Sequence, residues 1–409
     1  NLVVLGIGGS ALGNIALQTA LNPYMYNLDE KQRGGWPRLF VFDNVDQTQL
    51  SSFLKWLGNG LKRTLFNVIS KSGRTAETAA QFLYIKHKLA THYPKEPEKH
   101  LPHHFIITTG FEKNKKGQFD STLYKIAEKM ELPMLKFPTD VGGRFSVLSA
   151  SGLFSAAMCG IEIDQLLIGA QCMHERVSCE NFNENPAAIN AAINYHYYKC
   201  GKRNSVIMPY AYALKDMADW YRQLWAESLG KKLDLNRREV WAGPTPVKAL
   251  GVTDQHSQVQ LYREGPNDKL FTFLEVKNLK NDLVIRPTPN CPSELNYLLK
   301  KKMSQLLNNE KKATEYALSQ DQRPNLTVLF DRVNAQTIGQ FIYLYEVTTS
   351  FMGALLNIDT YNQPAVELGK EATFALMGKK GYCKFVKMPY KKFAQQIKAA
   401  TKTNKKYLV

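Results

Sequence analysis

Five short apolar runs, Leu2–Leu5, Leu39–Phe42, Phe66–Ile69, Phe105–Ile107 and Met134–Phe137, alternate with longer stretches of helical spacing such as Ala76–Leu89 and Ser121–Met130. A run with no alternating polar positions must be covered on both faces. Strands covered on both faces and separated by helices pair in parallel. The alternation resumes after a helical stretch from Ser146 to about Cys179. Asn185-Pro186 is a cap-and-first-turn signal for a helix to about Cys200, and Val206–Met208, Leu270–Val276 and Leu326–Phe330 read as further strands. Tyr93–His104 and Gly110–Gln118, rich in Pro, Lys, Glu and Gly, are expected to be surface loops. No sequence-level repeat is visible. The 409 residues suffice for two hydrophobic cores. The expected architecture is α/β, with two doubly wound halves, each a parallel sheet in a three-layer α/β/α sandwich. They span residues 1–178 and 179–388, followed by a basic C-terminal segment, 389–409.

Composition narrows the class of function. Hydrophobic residues make up 44% and charged residues 22%, ordinary for a soluble globular protein. No apolar run approaches the roughly 18 residues a membrane span needs, so no membrane partner is expected. The six cysteines form no C-x-x-C pair and have no histidines at zinc-finger spacing, which points to structural thiols in a reduced, cytoplasmic setting. The net charge of +17 is spread over Lys113–Lys116, Lys300–Lys302, Lys311–Lys312 and a tail from Lys387 onward. It is not gathered into one aromatic-interleaved stripe, so nucleic acid is not expected; solvated faces that steer a small anionic substrate fit better. The chain begins without methionine and enters a buried-type strand at once, so an N-terminal segment is expected to precede it.

The first strand runs straight into glycine. VVLGIGGSALG, Val3 to Gly13, is an apolar run, a glycine turn and the start of a helical pattern. Freed backbone N–H groups and the helix dipole make such a junction an anion socket. Gly6, Gly8 and Ala11 satisfy the dinucleotide pattern G-x-G-x-x-G/A. A dinucleotide also needs an acidic residue about 20 positions on, at the end of the next strand. Here that strand ends at Asp43, about 30 positions past Ala11, and the requirement fails. A sugar phosphate suits the same physics. A second socket follows Phe66–Ile69: SKSGRTAET, Ser70 to Thr78, leads into a helix. Ser70, Ser72 and Thr75 supply hydroxyls, Gly73 lets the backbone approach, and Lys71 and Arg74 add charge, a set suited to a phosphate monoester. The stretch also reads as an ordinary Ser/Thr helix cap with Glu77 in the first turn.

SKSGRTAET resembles the phosphate loop of the SIS family of sugar-isomerase domains, and GIGGSALG resembles the matching turn of phosphoglucose isomerases. Three further stretches carry the narrower likeness. DVGGRFSVLSASGL, Asp140 to Leu153, is similar to that family's first signature, with its active-site arginine. QLWAESLGKKLDL, Gln223 to Leu235, resembles the segment with the catalytic glutamate, and NIDTYNQPAVELGKEATFALMG, Asn357 to Gly378, the second signature, with its lysine. The five motifs stand in family order and cover nearly the whole chain. The resemblance implies two SIS-type domains. It also implies an enzyme of glycolysis and gluconeogenesis that interconverts glucose 6-phosphate and fructose 6-phosphate through an enediol or enediolate.

Aldose–ketose isomerisation needs one base that reaches two adjacent carbons. The resemblance gives that role to Glu227; on residue types alone, Glu227 also reads as a helix-surface partner of Lys231 four positions on. Arg144 is expected to stabilise negative charge developing on the enediolate oxygen, since a guanidinium keeps its proton. Ring opening falls to His256, in VTDQHSQVQL, and Lys370. In the family this histidine comes from the neighbouring subunit, which implies a homodimer. By the same resemblance Gly9 and Ser10 of the first turn, with Ser70, Lys71, Ser72 and Thr75, are expected to take the phosphate, Glu77 to organise the loop, and Gln223 and Gln363 to line the sugar or phosphate. No cofactor and no metal are implied.

Departures from the family pattern are few. Tyr361, Asn362 and Ala365 replace residues of the usual Phe-Asp-Gln-Pro-Gly, while Gln363, Pro364, Glu367 and Lys370 remain. Arg74 stands where threonine is common and is expected to strengthen phosphate binding. Two rival readings share the phosphate loop. Another SIS-type sugar-phosphate isomerase, the bifunctional phosphoglucose/phosphomannose type included, should lack NQPAVELGK, and a phosphosugar sensor should be able to lose Glu227, His256 and Lys370 together. All are present.

Overall fold

The computed structural model describes residues 1–114, 117–138 and 140–401. Lys115 and Lys116 of the first basic run and residues 402–409 of the C-terminal segment lie outside the described residues. Two compact units emerge, Asn1–Thr360 and Tyr361–Val409.

In the larger unit, β1 (Leu2–Leu5), β2 (Leu39–Phe42), β3 (Leu65–Ser70), β4 (Phe105–Thr109) and β5 (Met134–Lys136) form one sheet in the order β2-β1-β3-β4-β5. Every pairing is parallel. The apolar runs are explained by what covers them. Val3 and Leu5 of β1 face Phe53, Phe82, Ile85 and Leu123 on one side, while Leu2 and Val4 face Phe137, Cys159 and Phe154 on the other. Alternate side chains point to opposite faces, and both faces are dry.

The chain continues through β6 (Asn204–Pro209), the hairpin β7 (Lys231–Leu233) and β8 (Glu239–Ala242), then β9 (Thr245–Lys248), β10 (Lys269–Val276) and β11 (Asn325–Phe330). A second parallel sheet runs β11-β10-β6-β9. Asn185 caps the helix Pro186–Lys199 as its sequence predicts, its side-chain oxygen accepting from the N–H groups of Ala187 and Ala188 at 3.1 and 2.9 Å. The stretch expected as one helix from Ser146 is two, Ala150–Met158 and Ile163–Val177. Between them Gly160 takes φ +76°, and a Cβ there would stand 2.4 Å from the Trp36 indole nitrogen. The largest core joins Ala16, Leu17 and Ala20 of the helix Leu12–Leu21 to Trp220, Leu224 and Trp225 of the helix Lys215–Leu229. That contact brings the β1 turn toward the glutamate segment.

The smaller unit holds the helix Val366–Leu376, the antiparallel pair β12 (Tyr382–Cys383) and β13 (Met388–Pro389), and the helix Tyr390–Ala400 around Ala375, Cys383, Tyr390 and Phe393. Among the described residues no helix is long and apolar enough to cross a membrane.

Candidate active site

In the first sheet the order reverses between β1 and β3, a switch point where the loops leaving the carboxyl ends of the strands diverge and ligands commonly bind. Both glycine stretches lie there. After β1 the chain makes a tight turn at Gly8–Ser10 and enters the helix Leu12–Leu21. After β3 it turns at Gly73, φ +64°, and enters the helix Ala76–His92. A side chain at Gly73 would put its Cβ 2.4 Å from the Leu123 backbone nitrogen, so this turn requires glycine.

The hydroxyls of the second turn are not used as an ordinary cap. Thr75 occupies the N-cap position, yet its side chain makes no capping bond; its Oγ1 lies 2.9 Å from Ser70 Oγ. Ser72 Oγ accepts from the Arg74 N–H at 3.2 Å, in a turn whose Arg74 is exposed. The first helical N–H groups therefore stay open to a ligand. Glu77 sits half-buried in the first turn. From below, Thr109 Oγ1 donates to the Ser70 carbonyl at 2.7 Å and meets Ser121 Oγ at 2.6 Å.

The two cations of this loop differ. Lys71 Nζ donates to the Val141 carbonyl at 2.9 Å, tying the loop to the DVGGR segment. Burial pushes its pKa down, against the opposing pull of Asp140 and Glu112. Arg74 turns to Asp120, 2.7 Å away, with both side chains largely exposed. Its charge is therefore partnered within the protein.

DVGGR lies against the first turn. A Cβ at Gly9 would stand 2.1 Å from the backbone of Gly143, so the two main chains touch. This places Arg144 over the helix Lys215–Leu229. The arginine is 2% exposed. Its Nε donates to Ser228 Oγ at 2.7 Å, Nη1 to Glu227 Oε2 at 3.2 Å, and Nη2 to the Thr360 carbonyl at 2.7 Å. Burial lowers its pKa, while the Glu227 and Asp359 carboxylates act in the opposite sense. Gln223 Nε2 donates to the other carboxylate oxygen of Glu227 at 3.0 Å, so both oxygens are held. Gln223 Oε1 is buried and has no hydrogen-bond partner among the described residues. A Cβ on Gly8 would come within 2.8 Å of that same Nε2, so a chain of direct contacts runs from the β1 turn through Gln223 to Glu227.

The sequence names Gly9, Ser10, Ser70, Lys71, Ser72, Thr75, Arg144, Gln223 and Glu227, and direct contacts link their segments: Lys71 to Val141, Gly9 to Gly143, Arg144 to Glu227, and Gly8 through Gln223 to Glu227. Lys231 does not pair with the Glu227 carboxylate. The helix ends at Leu229, and Lys231 Nζ donates instead to the Glu227 main-chain carbonyl at 2.6 Å. Ser228 and the Thr360 carbonyl escaped the sequence reading, because their part depends on an arginine 84 and 216 positions away.

None of these contacts involves His256. It ends the tight turn Thr253–Gln255, which is anchored by Tyr210 donating to Gln255 at 2.5 Å. Its imidazole is exposed and makes no hydrogen bond or ion pair among the described residues. Gln363 and Lys370 belong to the smaller unit, where Lys370 Nζ pairs with Glu367 at 2.7 Å.

A hydroxyl-lined anion cradle linked by contact to an arginine-held carboxylate, on a doubly wound parallel sheet, is the equipment of an α/β enzyme for small phosphorylated substrates. The family model for phosphoglucose isomerase matches residues 1–380. A glucose-6-phosphate isomerase of Carboxydothermus hydrogenoformans is 48% identical over 381 residues, covering 93% of this chain and 79% of the relative. That of Rubrobacter xylanophilus is 40% identical, covering 93% and 83%. The crystal structure of a hypothetical protein from Thermus thermophilus superposes with a TM-score of 0.82 at 32% identity, covering 92% of this chain and 83% of that one. The chain belongs to the phosphoglucose isomerase family.

Proposed function

We propose that this protein interconverts glucose 6-phosphate and fructose 6-phosphate, in glycolysis and gluconeogenesis. The phosphate docks at the turns after β1 and β3, on the hydroxyls of Ser10, Ser70, Ser72 and Thr75 and the N–H groups of the helix start, with Gly9 and Lys71 beside it. Glu227 takes the proton from one of the two carbons and returns it to the other. Arg144, whose charge is fixed and buried, stabilises the enediolate formed between the two transfers. Gln223 Oε1, buried without a partner among the described residues, accepts from a sugar hydroxyl. Glu77 orders the loop. Closed sugar rings must open first, a step we assign to His256 and Lys370, with Gln363 lining the sugar.

The observation that supports this reading most is the contact chain from Gly8 through Gln223 to Glu227, which joins the proposed base to the turn after β1. An exposed, unengaged His256 suits a group that serves the site of a second copy, so we propose a homodimer. A cytoplasmic setting fits the reading.

A coupled assay with glucose 6-phosphate and mannose 6-phosphate side by side tests this. We expect turnover of the first alone. Equal turnover of both establishes a bifunctional isomerase, and turnover of neither overturns the proposal.

A further inference from the structure

The helix Lys215–Leu229 stops half a turn beyond Glu227, so its last carbonyls find no partner further along the helix. The Gly230 N–H takes the Ala226 carbonyl at 2.9 Å. The next carbonyl is that of Glu227 itself, and Lys231 Nζ takes it at 2.6 Å. Lys231 opens β7 and is paired across the hairpin with Ala242, so its own main chain is held from the strand side. Only 8% of the residue is exposed.

We propose that Lys231 is a positioning residue for the isomerisation: it clamps the main chain at Glu227, so that the carboxylate turns about a fixed pivot between Arg144 and Gln223. The proposal rests on Glu227 being the proton carrier. A base that serves two adjacent carbons must swing without drifting, and a misplacement of about 1 Å can cost on the order of a hundredfold in rate. Arg144 holds Ser228 at the side chain, whereas Lys231 fastens the carbonyl of the reacting residue itself.

The cost of placing a lysine here argues against a mere helix cap. Capping needs no burial, and exposed lysines do it routinely. Here the lysine is buried and its ammonium is set near a second cation, Arg144, with the Asp359 and Glu227 carboxylates as the opposing charges. Burial first, and Arg144 second, push its pKa down to about 8. The ammonium's charge-assisted bond is roughly twice as strong as that of a neutral amine. As pH rises through that value the clamp weakens and the positive charge beside Glu227 is lost. Turnover should therefore fall on an alkaline limb.

The test is kcat and KM for glucose 6-phosphate across about pH 6 to 10 for the parent, Lys231→Met and Lys231→Arg, with thermal melts alongside. Lys231→Met should lower kcat roughly 10- to 100-fold while KM stays within about threefold. Lys231→Arg, which keeps a donor and cannot lose its proton, should recover most of that kcat and move the alkaline limb up by at least about one pH unit. A Lys231→Met enzyme with parental kcat overturns the proposal. So does a Lys231→Arg enzyme whose alkaline limb stays where the parent's lies, and this second reading decides the matter if Lys231→Met fails to fold. A parent that turns over no sugar phosphate overturns the reading of the whole site, and the clamp with it.

Discussion

Around Glu227 the donors are already engaged: Arg144 serves Glu227, Ser228 and Thr360, Gln223 Nε2 serves the second carboxylate oxygen, and Lys231 serves the carbonyl. Around the turns after β1 and β3 the opposite holds. Ser10 has no side-chain hydrogen bond among the described residues, Ser70 and Thr75 have each other, and Ser72 accepts from one N–H. The difference matches what each end must do. A group that moves a proton needs a fixed geometry before substrate arrives, so its supports come from the protein. A phosphate brings its own acceptors, so its cradle is built of donors waiting to be used. On the proposed reading, rigidity at one end and unspent donors at the other serve one substrate.

That contrast can be broken most severely at the carboxylate. Glu227→Gln keeps the size of the side chain and removes its basicity. Turnover should fall by roughly 10²–10⁴-fold, with KM nearly unchanged and exchange of the C2 proton with solvent lost in step. Parental turnover would remove Glu227 from the role of base.

Arg144→Lys comes next. A lysine keeps the charge but cannot bond Ser228, Glu227 and Thr360 at once, because the guanidinium fork makes those three contacts from different nitrogens. Removing such preorganised donors costs about 10²–10³ in kcat. The thermal midpoint should drop too, since a buried charge that loses partners is destabilising by roughly 3–5 kcal/mol. A variant that melts like the parent would mean that the cluster is looser than its hydrogen bonds indicate.

At the other end the signature reverses. Ser72→Ala should raise KM roughly tenfold, the worth of one hydrogen bond to a charged group, and leave kcat close to the parent's. The melt should be nearly unchanged, because among the described residues the Ser72 hydroxyl serves only the Arg74 N–H within its own turn. A fall in kcat at constant KM would place the serine with the reacting groups and erase the contrast.

Much of this was legible in advance, and the gaps have identifiable causes. The β1 and β3 runs were readable because both faces of that sheet are buried, which leaves apolar residues at nearly every position. β8 and β9 were not: Glu239–Ala242 is largely exposed, and Thr245–Lys248 is an edge strand that tolerates Pro246. In the site, the glycine turns announced themselves, since each needs residue types found in a short window. The Arg144–Glu227 pair joins positions 83 apart and is a product of tertiary packing. Lys231 misled for a local reason. Pairing four positions on presumes that the helix continues, but it ends at Leu229, and the lysine swings to the carbonyl.

Arg74 gives the smallest expected effect and the finest test of the cradle. By sequence it stands among hydroxyls expected to bind phosphate, and its charge is expected to strengthen that binding. In the fold its guanidinium reaches Asp120 at 2.7 Å, and the two side chains are 56% and 65% exposed. An exposed pair of this kind contributes about 0–1 kcal/mol, and its charge is partly cancelled before any phosphate arrives. Arg74→Thr should therefore change KM less than about twofold and shift the thermal midpoint hardly at all. The residual effect should fade with added salt, because only long-range steering of an anion is left to the arginine. A tenfold rise in KM would mean that the guanidinium abandons Asp120 when the phosphate binds. The cradle would then be closed by a moving charge, and the openness of this end would hold only before substrate arrives.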